Sequence, residues 1–150
     1  MKHFISHRGN INGRIPDREN HPDYIDEAIN LGYDVEIDLW YINEKFWLGH
    51  DKPEYVTTLS WVASRQDKLW IHCKNHEAMV YLNEYQLLNL NWFWHEEDDM
   101  TLTSKRFMWV YPGKQPIKSS IAVMPEINED DVSLCLGICS DQIEKYKDGY

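Results

Sequence analysis

The stretch Asp34-Val35-Glu36-Ile37-Asp38-Leu39 alternates without a break, setting three carboxylates against Val35, Ile37 and Leu39. Successive side chains of a strand point to opposite faces, so residues 33–42 ("YDVEIDLWYI") predict a strand with one apolar and one acidic face. Residues 68–75 ("KLWIHCKN") alternate in the same way. Shorter apolar runs at 3–6, 45–49, 91–95, 106–111, 119–124 and 134–140 bring the expected strands to eight. Helical spacing appears in four places. The segment 22–32 ("PDYIDEAINLG") carries a stripe of Tyr24, Ile25, Ala28, Ile29 and Leu31, opened by Pro22 and stopped by Gly32. Residues 57–66 have Thr57 or Thr58 as a cap, and 75–88 ("NHEAMVYLNEYQLL") have Asn75. A short helix over 141–147 ("DQIEKYK") ends the series.

Strands that alternate with helices predict a parallel α/β arrangement. Eight of them predict a compact (β/α)8 barrel of the TIM type. Such barrels take ~250 residues, and this chain has 150. Several outer helices must therefore be shortened or missing, above all in 91–139. No repeat, linker or low-complexity segment interrupts the chain, which predicts a single domain over 1–150.

Seven Trp, nine Tyr and four Phe exclude a disordered composition. The net charge of −10 disfavours non-specific nucleic-acid binding, which rests on Lys and Arg. An acidic protein acting on an anion needs a cation or an Arg/Lys pair to offset repulsion. Cys73, Cys135 and Cys139 are too few and too widely spaced for a disulfide framework, and Cys135-x-x-x-Cys139 lacks the second close pair of a structural zinc site. With no signal-like or membrane-length apolar run, the expectation is a reduced, cytoplasmic protein without a membrane span.

Ionisable groups gather where the first four strands end. His7 and Arg8 follow the first strand. Glu36 and Asp38, two apart, share one face of the second. His50 and Asp51 follow the third; His72 and Lys74, again two apart, close the fourth. Taken singly, each reads as a loop or a solvated edge. Together they form a polar ring at the strand end where barrels keep catalytic groups. Burying such a ring is costly unless its members pair or hold a metal.

The order His7-Arg8-Gly9, Glu19-Asn20, Gly32-x-Asp34-x-Glu36-x-Asp38 and Gly49-His50-Asp51 resembles the glycerophosphodiester phosphodiesterases, a family of phospholipase-C-like TIM-barrel enzymes. The strong part of the resemblance covers 3–51. It continues weakly through "WIHCKN" and "GICSD", which ends in Asp141. It implies His7 and His50 as general acid and base, Arg8 on the phosphate, Glu36 and Asp38 as metal carboxylates, and Lys74 near the phosphate. It also implies hydrolysis of a small glycerophosphodiester-type substrate with Mg2+ or Ca2+. Where the family has a third metal carboxylate, this chain has His72, a change that implies either a shift of preference toward Mn2+, Zn2+ or another transition ion or weaker metal binding. Glu96, Glu97 or Asp98 are candidates for the missing oxygen. Only seven residues, 52–58, stand where the family inserts a small subdomain, so a reduced lid is expected.

Two other readings remain. The same fold, shortened and altered at His72, would serve as an inactive module that binds a phosphorylated ligand through Arg8 and Lys74. A purely structural role explains the aromatics, Trp92, Trp94 and Trp109 among them, but not the polar ring. An incomplete helical ring would leave apolar flank exposed, which predicts a homodimer.

Overall fold

The computed structural model describes residues 1–85 and 88–149. Its centre is β2 (Asp34–Ile42), the alternating stretch. The first half of β2 pairs in parallel with β1 (His3–His7) on one side and β5 (Leu69–Cys73) on the other. Its second half turns back on β3 (Lys45–Leu48), which pairs with β4 (Tyr55–Thr57), both antiparallel. Beyond β5 lies β6 (Asn91–Phe93). Beyond β1 come β10 (Gly137–Ser140), β9 (Ile121–Val123) and β8 (Met108–Val110), all parallel, and then the antiparallel β7 (Met100–Leu102).

The expected (β/α)8 TIM-type barrel is not what forms. The ten strands make one curled mixed sheet, a half-barrel with four short helices among the described residues. The reason lies in the connections. Parallel strands need a crossover of a dozen or more residues, usually helical. Helices α1 (Pro22–Asn30), α2 (Leu59–Ala63) and α3 (His76–Glu84) supply it in the first half, and α4 (Ile143–Asp148) follows the last strand. Between β8 and β9 the ten residues 111–120 include Pro112, Gly113 and Pro116, which break a helix. Between β9 and β10 there is one turn of 3-10 helix at Pro125–Ile127. No strand ladder joins β6 to β8 among the described residues. The seam is held instead by the Trp92 backbone N–H donating to Ser104 Oγ (2.9 Å), by Ser104 N–H donating to the Trp92 carbonyl (2.8 Å), and by the Phe93 and Trp109 rings, 4.9 Å between centroids.

The caps act as read from the sequence. Thr58 Oγ1 accepts from Trp61 N–H and Asn75 Oδ1 from Ala78 N–H. The helix expected over 75–88 ends at Glu84; Gln86 and Leu87 lie outside the described residues. β4 and β7 were not expected. β4 falls within residues 52–58 and pairs antiparallel with β3. No described helix is long and apolar enough to cross a membrane.

Alternation decides which face β2 turns where. Val35, Ile37 and Leu39 are buried under the helices with Ile25, Ala28, Val62 and Leu82. Glu36 and Asp38 must then face the hollow side, above a second cluster of Ile5, Trp70, Phe93, Trp109, Ile121 and Cys139. Asp34, at the start of the same face, is held differently. It takes hydrogen bonds from the Trp70 indole (3.2 Å) and Lys68 Nζ (3.3 Å), with His3 Nδ1 at 3.5 Å. Burial raises its pKa, but these three partners outweigh burial and leave it below the ordinary aspartate value. A depressed carboxyl stabilises the fold above its unfolded pKa and loses that contribution as pH falls through the folded one. Asp34→Asn should therefore lower stability by about 1–2 kcal/mol at pH 7. The deficit should shrink below about pH 4. Urea unfolding at pH 7 and pH 3 checks this; an equal deficit at both would remove the charge argument.

Candidate metal-binding site

The site begins with a turn. After β1 the chain passes through Arg8 (φ 59°) and Gly9 (φ 96°), both left-handed. A Cβ at Gly9 would collide with the Tyr24 ring, so the residue after Arg8 has to be glycine. Arg8 N–H donates to the Glu36 carbonyl and Arg8 C=O accepts from Asn20 N–H, both at 3.0 Å. Asn20, also left-handed, donates its amide to Asp38 Oδ2 (2.8 Å) and accepts from Asp38 N–H (2.9 Å). Glu19-Asn20 is thereby clamped to the strand that carries the carboxylates.

Strand register does the rest. His7 stands beside Glu36, and Asp38 beside His72. Oxygens of Glu36 and Asp38 and a nitrogen of His72 lie within 4.8 Å of one another. His72 Nδ1 is 3.3 Å from Asp38 Oδ1 and 3.9 Å from Glu36 Oε1. All three residues read from the sequence as ligands are thus brought together. Arg8 reaches Asp38 Oδ2 with Nε at 3.0 Å and Glu19 Oε2 with Nη1 at 3.2 Å. Arg14 takes the other oxygen of Glu19 from the surface, 2.7 Å. Lys74 Nζ is 4.0 Å from Asp38 Oδ1, beyond hydrogen-bond reach.

His7 is held from behind. Its Nδ1 is 2.7 Å from Asp141 Oδ1, which also accepts from the Asn10 amide at 2.8 Å. A carboxylate only accepts, so Nδ1 carries the proton and Nε2 faces inward, 3.8 Å from Glu36 Oε2. Burial lowers the pKa of His7, but the Asp141 hydrogen bond and the Glu36 charge outweigh it, and the net shift is upward. His50, after β3, is less committed. Its side chain is 42% exposed and bonds Asp51 Oδ1 at 2.8 Å. Burial and the nearby Arg8 lower its pKa.

Four carboxylates, Glu19, Glu36, Asp38 and Asp141, are buried here. Three of them receive hydrogen bonds from side chains. Glu36 is the exception: its Oε2 is buried without a hydrogen-bond partner, as is Asp38 Oδ1. Burial, and then the Asp38 charge, push Glu36 up to about 7. Burial would raise Asp38 as well, but His72, Arg8 and Asn20 outweigh it and hold Asp38 well below the carboxylate range. One carboxyl short of counter-charge beside a fully ionised one, with an imidazole against both, is a donor set that fits a divalent cation.

A pocket of about 220 Å³ opens onto these groups, walled by His7, Arg8, Glu36, His50, His72, His95, Tyr111 and Met124 among others. It is smaller than the ~300–1,000 Å³ of drug-sized sites, which suits a small polar group. His95 and Tyr111 were missed in the sequence. Their rings stack at 3.5 Å between centroids, across the seam between β6 and β8. The signal was present: His95 comes just past the end of β6, as His7 stands at the end of β1. Asp141 was quoted without a role; its place beside His7 depends on β10 lying next to β1. Glu96, Glu97 and Asp98 do not supply a further oxygen. They are exposed, and Asp98 approaches only His95, at 3.8 Å. No protein-family model, curated protein or solved structure gives a significant match to this chain.

Proposed function

We propose that this protein is a metal-dependent phosphodiesterase that cleaves a small glycerophosphodiester-type substrate to an alcohol and a phosphomonoester. One observation carries the reading. Glu36, Asp38 and His72 lie within 4.8 Å of one another beside an Asp141-backed His7 and a partly buried Arg8, and His7, Arg8, Glu36 and His72 wall one pocket.

A divalent ion bound there would draw charge from the phosphate and orient its oxygens. Glu36, Asp38 and His72 would hold it. Arg8 adds a permanent, planar positive charge on the pocket wall, fixed by Glu19 and Asp38. His7 moves a proton at Nε2, because Asp141 occupies Nδ1. His50 is the second imidazole on the wall. One of the two accepts a proton from the attacking water as the new P–O bond forms, and the other gives one to the departing alkoxide as its P–O bond breaks, which leaves a phosphomonoester and an alcohol. The pocket's size favours a glycerol-like or similarly small arm on the phosphate.

The test is hydrolysis of bis(p-nitrophenyl) phosphate and glycerophosphocholine by metal-stripped protein, with Mg2+, Ca2+, Mn2+ and Zn2+ returned singly. Turnover that appears with an ion and disappears with chelator is expected. A folded, ion-loaded protein that cleaves neither these nor a phospholipid would end the reading.

A further inference from the structure

We propose that the Glu36–Asp38–His72 cluster is built for a borderline transition ion of the Mn2+ to Zn2+ series rather than for Mg2+ or Ca2+, because His72 enters it as a tautomer-locked nitrogen ligand. This deepens the reading above and rests on it only in taking the cluster as an ion site; no turnover is needed to test it.

The lock is the backbone of His95. His72 Nε2 lies 3.3 Å from the His95 carbonyl oxygen. A carbonyl only accepts, so Nε2 carries the proton. When Nδ1 carries no second proton it is a lone pair, and it points at two carboxylate oxygens, 3.3 Å and 3.9 Å away; the proton through which His72 holds Asp38 low is the one an ion would displace. Three electron-rich atoms facing one another repel unless a positive charge lies between them. Phe93 stacks on the His72 ring (5.1 Å, 16° between planes) and fixes the plane in which the lone pair lies. Metal-bound imidazoles are held in this way, with the far N–H on a carbonyl or carboxylate.

The spacing agrees. An ion at about 2.0–2.2 Å from each donor keeps its ligands about 3–4 Å apart, which is the separation of Nδ1 from the two oxygens. Of these oxygens Asp38 Oδ1 is buried with no hydrogen-bond partner, and Glu36 adds a second such oxygen, Oε2. The donor chemistry then selects the ion. Ca2+ collects six to eight oxygens and Mg2+ keeps to oxygen and water. An imidazole nitrogen favours the later first-row ions. The competing occupant is a second proton on His72, which would make it an imidazolium beside Asp38.

The experiment is calorimetric titration of the metal-free full chain with Mg2+, Ca2+, Mn2+ and Zn2+, repeated on His72→Glu. Wild type is expected to bind Mn2+ and Zn2+ at least ~100-fold more tightly than Mg2+. His72→Glu should shrink that ratio at least ~10-fold, since it replaces the nitrogen with an oxygen. Equal affinity for Mg2+ and Mn2+, a ratio unchanged in His72→Glu, or no ion binding at all would overturn the proposal; the last is the imidazolium outcome. If circular dichroism shows His72→Glu unfolded, Mn2+ broadening of the His72 ring resonances in wild type decides: broadening supports the proposal and sharp resonances refute it. An ion-selective protein that cleaves no phosphodiester keeps this inference and loses the function above. A phosphodiesterase that binds Mg2+ as tightly as Mn2+ does the reverse.

Discussion

His7→Ala should lower kcat for glycerophosphocholine, whose leaving alkoxide needs a proton, by about 10²- to 10⁴-fold, the usual worth of a positioned general acid or base. The expectation rests on how His7 is held. Its Nδ1 is fixed by Asp141 at 2.7 Å, and Asp141 is itself fixed by Asn10 at 2.8 Å. The ring therefore needs no reorientation before Nε2 takes or gives a proton. Asp141→Asn tests the arrangement from outside the pocket. It removes the hydrogen bond and charge that raise the His7 pKa, so the limb of the pH–rate profile that His7 governs should move to lower pH. The direction is the same whether His7 serves as acid or base. Full activity in His7→Ala would remove His7 from the mechanism. A profile that stays in place in Asp141→Asn would show that Asp141 only packs.

The second large effect is a contrast of sign between adjacent carboxylates. Asp38 is tied to Asn20 twice, its Oδ2 accepting from the Asn20 side-chain amide and its backbone N–H donating to Asn20 Oδ1, and Arg8 Nε lies 3.0 Å from Oδ2. Asp38→Ala strips Arg8 of a buried partner and should cost about 3–5 kcal/mol. Glu36 is fully buried, with Oε2 unpartnered and its pKa driven up to about 7 by burial and by Asp38. Glu36→Gln removes the incipient charge at nearly constant volume. In metal-free protein at pH 8 it should raise stability by about 1–3 kcal/mol. Both variants should lose ion binding. Denaturant unfolding of each without metal reads the signs. A destabilised Glu36→Gln would mean that the carboxylate finds its counter-charge within the fold. Groups held for a ligand are commonly strained without it, and stability is lost where function is built.

Much of this was legible in the chain. The strict alternation of 34–39 fixed both the strand and the side on which Glu36 and Asp38 stand, because a period of two leaves no other choice once Val35, Ile37 and Leu39 are buried. The spacing of His72 and Lys74, the caps Thr58 and Asn75, and the glycine after Arg8 are equally local, and each is found in place. The overall architecture was not legible. Counting apolar runs gives eight strands but says nothing about whether the sheet closes or which connections stay extended. Proline-bearing loops and two short antiparallel strands decided that. The site divides along the same line. The sequence alone determined the ligand types and the face they share. Only the tertiary structure decided that Asp141, 134 residues away, backs His7, that the His95 carbonyl lies against His72 Nε2, and that Tyr111 meets His95 across the seam between β6 and β8. Those contacts depend on strand order, which no local pattern encodes: β10 lies beside β1 because the sheet curls back on its own beginning.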